Sequence, residues 1–214
     1  IDLNPLAIFL AKAKTTEIDP HILQTEYFAL LDRISQIKDN EIVRLEFNNL
    51  DFWFNEKVII KLAKIKKAIR EIKDKKIQNF FIVGFSEIVR FSSNTKNGEF
   101  KLVRMKKEKL DNHDPDVLGF FKKKIELNIA VMKSYSENVD TNAKVKIIFG
   151  DSSKDNGIRE NSIDCIITSP PYGDSRTTVA YGQFSRLSAQ WIDIFEDPNQ
   201  ASGVDNELLG GKSI

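Results

Sequence analysis

One cysteine, Cys165, and two histidines, His21 and His113, are all that the 214 residues supply. An internal disulfide is therefore excluded. No His/Cys cluster stands at a familiar metal-ligand spacing, so no metal is expected and any cofactor chemistry is organic. Cys165 sits in an apolar run and reads as a buried strand residue. No uninterrupted apolar stretch approaches the ~20 residues that span a bilayer. The first residues carry neither a signal-peptide nor a transit-peptide pattern, so no membrane partner and a cytoplasmic location are expected. Internal repeats and low-complexity tracts are lacking. An excess of one charge is lacking too: 32 Lys and Arg against 31 Asp and Glu leave +1, which says nothing about nucleic acid.

What is present is the composition of a globular chain, 41% hydrophobic and 29% charged, long enough for one substantial core. The small net charge hides an uneven distribution. Lysines crowd into Lys57 to Lys76 and Lys101 to Lys109, while the stretch after Tyr181 is mostly acidic or neutral. The chain begins at Ile1 rather than a methionine, and its first residues read as the end of a buried strand, so it is expected to continue upstream.

Residues 1–16 read as a strand end, a turn at Asn4-Pro5 and a helix with Leu6, Leu10 and Ala13 on one face. A second helix is expected after Pro20, carrying Ile22, Leu23, Tyr27, Leu30, Leu31 and Ile34 at helical spacing. Asn48 to Phe54 reads as an aromatic-rich connection. From Lys57 to Lys76, the spacing of Val58, Leu62, Ile65, Ile69 and Ile72 predicts one long amphipathic helix with lysines opposite. Periodicity alone leaves Asn79 to Arg90 open between buried strand and buried helix; helix is preferred. Glu99 to Arg104 alternates like a short strand. Asp114-Pro115 signals the start of another helix, running through Leu118, Phe121, Ile125, Ile129 and Met132 to about Tyr135. Lys144 to Phe149 and Ser162 to Thr168 read as strands ending in polar loops, which is an α/β signature. A short helix is expected around Ser185 to Ile194.

The sharpest feature is Thr168-Ser169-Pro170-Pro171-Tyr172. Two prolines at the end of an apolar run fix the backbone and hold Ser169 extended. Open α/β sheets bind ligands at such carboxyl ends. The carbonyls of Ser169 and Pro170 become acceptors beside the Ser169 hydroxyl, and the Tyr172 ring can stack on a flat base. Acceptors of this kind suit an aromatic amine, a poor nucleophile whose delocalised lone pair is localised by hydrogen bonds from its two N–H groups. Such an amine can attack a sulfonium methyl directly. A base inside a duplex must be flipped out to reach the site.

Thr168 to Tyr172 resembles the catalytic loop of the S-adenosylmethionine-dependent DNA amino-methyltransferases. Serine in the first position of the tetrapeptide is similar to the cytosine-N4 enzymes, whereas aspartate is more usual in the adenine-N6 ones. The run Gly173 to Arg186 also looks like one branch of that family, and Phe85 to Arg90 and Gly98 to Arg104 match it more loosely. The resemblance implies a Rossmann-like α/β methyltransferase sheet, partial in this chain, with a large mainly helical insertion. It implies catalytic roles for Ser169, Pro170, Pro171 and Tyr172.

Two stretches fall where that family places its cofactor site. Asp2, followed by Leu3 and Asn4, would take the ribose hydroxyls by the logic of an acidic residue closing a second strand. Asp151 with Ser152 would face the adenine amine. The family's glycine-rich loop would lie just before Ile1, so the chain is expected to be a fragment with an incomplete cofactor pocket, inactive by itself. The implied division is 1–16 and 139–214 for the methyltransferase core and 17–138 for the insertion, where DNA recognition is expected. Arg90, Arg104, Arg176 and Arg186 are candidate DNA contacts, Arg44, Arg70 and the lysine-rich helix could also contact phosphates, and Arg90 ranks above the lysines because arginine grips phosphate or guanine bidentately. For Arg90 the alternative is an ion pair with Glu87, and for the lysines a solvated helix face. Trp53, Phe52 and Phe54 could line a groove. The implied partners are double-stranded DNA with a flipped base and a cognate restriction endonuclease, in a nucleoid-associated prokaryotic protein. Methylation of adenine in DNA or of an RNA base, and a non-catalytic nucleic-acid-binding module, are the rival readings.

Overall fold

The structure, a computed structural model, describes residues 1–99, 101–139, 143–168 and 181–204. Its elements are α1 (Pro5–Lys14), α2 (Pro20–Gln36), α3 (Leu50–Trp53), α4 (Glu56–Arg70), α5 (Lys75–Ser92), α6 (Lys107–Leu110), α7 (Val117–Asn138) and α8 (Tyr181–Trp191). Short 3-10 turns occupy Asp39–Glu41 and Pro198–Ser202.

Side chains set the helix starts. Asn4 and Asp19 each accept a backbone N–H, from Leu6 at 3.0 Å and His21 at 2.8 Å, and each precedes a proline at the first helical position. Asn55 caps α4 through Val58 N–H. α7 starts at Val117, two residues later than the Asp114-Pro115 signal suggests, because Asp116 captures the Gly119 N–H at 2.9 Å.

The long helix expected over 57–76 is two helices. α4 ends at Arg70, and Asp74 opens α5 by accepting from Lys76 and Ile77. Gln78, almost fully buried, turns back and donates through Nε2 to the carbonyls of Ile69, Arg70 and Ile72, 3.0 to 3.2 Å away. It supplies donors to Arg70 O and Ile72 O and reaches Ile69 O as well, which also accepts from Ile72 N–H, and so closes the end of α4. The Asp74 cap was the sequence signal for this break.

α5 contains the ambiguous run and is helical. It buries Phe80, Phe81, Ile82, Phe85, Ile88 and Val89, and packs against α1, α4, α7 and α8, which makes it the central helix. A helix apolar on most sides belongs inside, and each of these side chains contributes about 1.5–3 kcal/mol on burial. Gly84 allows α7 close, since a Cβ there would run into Ile125 Cδ1. α2 packs across α4 and α7, and α1 also touches α8. Trp191, fully buried at the end of α8, meets Phe54 and Phe85 edge-on with centroids 5.5 and 6.2 Å away.

The α/β sheet is not found. Among the described residues the architecture is helical, and β pairing is confined to two isolated bridges, Asp2 with Phe149 (parallel) and Thr95 with Arg104 (antiparallel). The Rossmann-like expectation is therefore corrected. A strand exists only through a neighbour that takes its N–H and C=O groups. Residues 144–149 find such a neighbour only in Asp2, and 162–168 make no backbone hydrogen bond among the described residues. Alternating apolar residues cannot supply the missing partner. The strand expected at Glu99 to Arg104 is likewise reduced to the Thr95 bridge, and α3 forms inside the expected aromatic connection. Cys165 is exposed, not buried. No helix among the described residues is long and apolar enough to cross a membrane.

Candidate active site

The Asp2 bridge brings the two acidic stretches together. Asp2 N–H donates to Ile148 O at 3.1 Å, and Gly150 N–H donates to Asp2 O at 3.0 Å. Asp2 and Asp151 thus stand on adjoining ends of two paired segments that are 149 positions apart in sequence. Asp2 is exposed, and its Oδ1 accepts from Asn4 N–H at 2.7 Å, folding residues 2–4 into a tight turn. Leu3 is half-buried within that turn. Asp151 Oδ1 accepts both the N–H and the hydroxyl of Ser153, at 2.8 and 2.7 Å, and these bonds hold its carboxyl below the usual aspartate range. Ser152 is exposed beside it.

Asn4 does two things at once. Its Oδ1 caps α1, and its Nδ2 donates to Ser185 Oγ at 3.3 Å, on the helix that follows the Ser169 to Tyr172 tetrapeptide in the chain. α8 is seated further by Ser188, whose hydroxyl donates to Ser86 O at 2.6 Å, and by Gln183, whose Oε1 accepts Leu102 N–H at 3.3 Å. Sequence reasoning missed Gln183, Ser185 and Ser188. The signal was the spacing of three between the two serines, which puts both on one helix face. Ser169, Pro170, Pro171, Tyr172 and Arg176 lie outside the described residues.

The candidate DNA contacts fare differently from one another. Arg90 points inward: it donates to the backbone carbonyls of Phe184, at 3.0 Å, and of Glu99, and its guanidinium lies 4.2 Å from the Phe184 ring centroid. Burial pushes it below the ordinary arginine range. The expected alternative, an ion pair with Glu87, is not made, because Glu87 pairs with Lys124. Arg186 is half-buried on α8. Arg104 is exposed and stacks on Phe52, 4.2 Å from its centroid. Phe52 packs edge-on against Trp53, while Phe54 is buried in the core, so the three aromatics do not line one groove. Arg44 is held by Glu46, Asp51 and Glu56, and Arg70 by Asp193.

A cavity of about 760 Å³ opens between α1, α5, α7 and α8, walled mainly by apolar side chains such as Leu6, Leu10, Val83, Leu127, Val131 and Phe184. None of Asp2, Leu3, Asn4, Asp151 or Ser152 lines it. Among the described residues no group of three or more His, Cys, Asp or Glu side chains could hold a metal ion.

With the Asp2 and Asp151 turns paired and Asn4 tied to α8, the chain is similar to a methyltransferase. One relative is the Type II methyltransferase M.MvaI of Kocuria varians, 42% identical over an alignment of 228 positions that takes in 99% of this chain and 50% of the relative. The chain spans about half the length of that relative. No protein-family profile and no solved structure matches.

Proposed function

We propose that the chain is part of a site-specific DNA methyltransferase, an S-adenosylmethionine-dependent enzyme of the restriction-modification type, that methylates the N4 amine of a flipped cytosine. The observation that carries the reading is the Asp2–Gly150 pairing, which joins two acidic segments and is anchored through Asn4 to the helix following the tetrapeptide. The likeness to the Type II enzyme supports the same reading. In it, residues 1–16 and 139–214 carry the transfer, and 17–138 recognise DNA beside a cognate endonuclease.

The donor set fits S-adenosylmethionine. Asp2 gives up only part of its acceptor capacity to Asn4, since a carboxylate offers about four lone-pair sites. Two hydroxyls of a ribose are donors for it. Asp151, kept ionised by Ser153, is an acceptor for an adenine amine, with Leu3, Asn4 and Ser152 shaping the turns around them. When bound, S-adenosylmethionine supplies an electrophilic methyl group on a sulfonium. The roles assigned to Ser169 and Pro170 are to accept the N–H bonds of the target amine and so localise its lone pair. Pro171 fixes the backbone, and Tyr172 stacks on the extruded base. As the N–CH3 bond formed, the S–CH3 bond would break with its electron pair left on sulfur, giving the neutral thioether S-adenosylhomocysteine, and the nitrogen would pass its extra proton to solvent.

The test is mass spectrometry of nucleosides from DNA incubated with S-adenosylmethionine and the protein at its natural full length. 4-Methylcytosine is the expected product. 6-Methyladenine would move the activity to the other base, and the absence of any methylated base would overturn the enzyme reading in favour of a nucleic-acid-binding module.

A further inference from the structure

Two stretches of this chain are rich in lysine, and most of the basic charge on α4 meets a different fate from that at 101–109. On α4, Lys61, Lys64, Lys66 and Lys67 pair with Asp114, Asp39, Asp193 and Glu41, and Arg70 shares Asp193. From Lys61 to Arg70 this face is neutralised within the fold, while Lys57, Lys73 and Lys76 on its flanks are exposed and make no ion pair among the described residues. Residues 101–109 hold five basic side chains against one acid, Glu108. Arg104, Lys106, Lys107 and Lys109 are all exposed. None of the four forms an ion pair or a side-chain hydrogen bond among the described residues.

We propose that Arg104, Lys106, Lys107 and Lys109 form the ridge that grips the phosphate backbone of duplex DNA, with Arg104 as its fixed point. This rests on the DNA methyltransferase reading. The ridge is built on a braced support. Thr95 bridges Arg104, Lys96 N–H donates to Val103 O at 2.7 Å, and Met105 N–H donates to Asn94 O at 2.9 Å. Asn94 in turn is fastened to α3, its N–H on Trp53 O at 2.7 Å and its Nδ2 on Phe52 O at 3.2 Å. The Phe52 ring, partly exposed and buttressed by Trp53, takes one face of the Arg104 guanidinium. Its in-plane N–H donors stay open, and those are the groups a phosphate oxygen pair accepts bidentately. The three lysines follow on the same short stretch, entering α6. Asp51 beside Phe52 is held by Arg44 and Glu99 by Lys96, and the two acids on or capping α6, Glu108 and Asp111, are outnumbered by the basic side chains. Point charges without base-reading geometry give affinity rather than sequence choice.

Each phosphate contact contributes about 0.9 to the slope of log Kobs against log salt. Binding of a short fluorescein-labelled DNA duplex is measured by anisotropy over a potassium chloride series for the unaltered protein. The same series is run for the quadruple variant R104Q/K106Q/K107Q/K109Q and for the α4 variant K61Q/K64Q/K67Q. The ridge variant is expected to flatten the slope by about 2 to 4, while the α4 variant leaves it within about 1. Thermal unfolding checks that the exposed substitutions leave the fold intact. A ridge variant that keeps the full slope, or an α4 variant that flattens it equally, overturns the proposal while the unaltered protein still methylates and binds DNA. If the unaltered protein shows no salt-dependent binding, the proposal falls together with the DNA reading.

Discussion

The runs FFIVGFSEIV at 80–89 and IDCIIT at 163–168 look alike on paper, both apolar and short on charge, yet one is the middle of the molecule and the other lies open. Phe81, Phe85 and Val89 are 0–1% exposed, whereas Ile166 and Ile167 are 79% and 95% exposed. The difference lies in neighbours. α5 makes its backbone hydrogen bonds within itself and is met by α1, α4, α7 and α8. Residues 163–168 make none to other described residues. Hydrophobicity creates the demand for burial, and only packed partners meet it.

The widest gap is expected from truncating matched positions. Phe85→Ala should lower stability by about 3–5 kcal/mol, because a fully buried ring leaves a cavity between α5 and Trp191. Ile167→Ala should change it by no more than ~0.5 kcal/mol. Denaturant unfolding reads both, and an Ile167 variant as damaging as the Phe85 one would break the contrast.

Arg90→Met tests how far the core's order extends to α8. Two carbonyls, of Phe184 and Glu99, lose a charged donor, which costs about 1.5–3 kcal/mol. Since Arg90 is spent inside the protein, the salt slope of DNA binding should stay unchanged; a flatter slope would return Arg90 to the DNA contacts. Gln78→Leu should cost about 1–3 kcal/mol by removing the donor from Arg70 O and Ile72 O just past α4, seen as a lower thermal midpoint.

Asn4→Ala should cost about 1 kcal/mol through the lost cap of α1. Under the proposed function it should also weaken S-adenosylmethionine binding more than an equally destabilising core change, as titration calorimetry would report. The smallest effect concerns Asp151. Its folded pKa is depressed by Ser153, so the associated stabilisation is present above the ordinary aspartate value of ~3.9 and is lost as pH falls through the folded value. Ser153→Ala should bring the Asp151 titration, followed by NMR, up toward that ordinary value.

The helices were legible to within a few residues because their signals are local. Asn4-Pro5 and Asp19-Pro20 announce α1 and α2, and the apolar spacing gives the buried faces of α2, α4 and α7. The break at 71–74 was written in Asp74 but hidden by a periodicity that runs on through Ile72. The candidate site was legible in part. Asp2 and Asp151 could be singled out, but nothing local says that their segments pair, nor that Asn4 reaches Ser185 on α8. The basic surfaces were the least legible, since Asp39, Asp114 and Asp193, which neutralise α4, come from three separate stretches of chain.

By itself the sequence determined where helices start, which face each one buries, and the Ser169 to Tyr172 tetrapeptide that points to amine chemistry. An α-helix closes its hydrogen bonds four residues away, so its instructions fit within a short window. Tertiary structure alone decided that α5 sits at the centre, that residues 144–149 and 162–168 form no sheet among the described residues, and which lysines keep a free charge. Those outcomes depend on partners tens of residues distant, and a segment's own residues do not specify what will lie beside it.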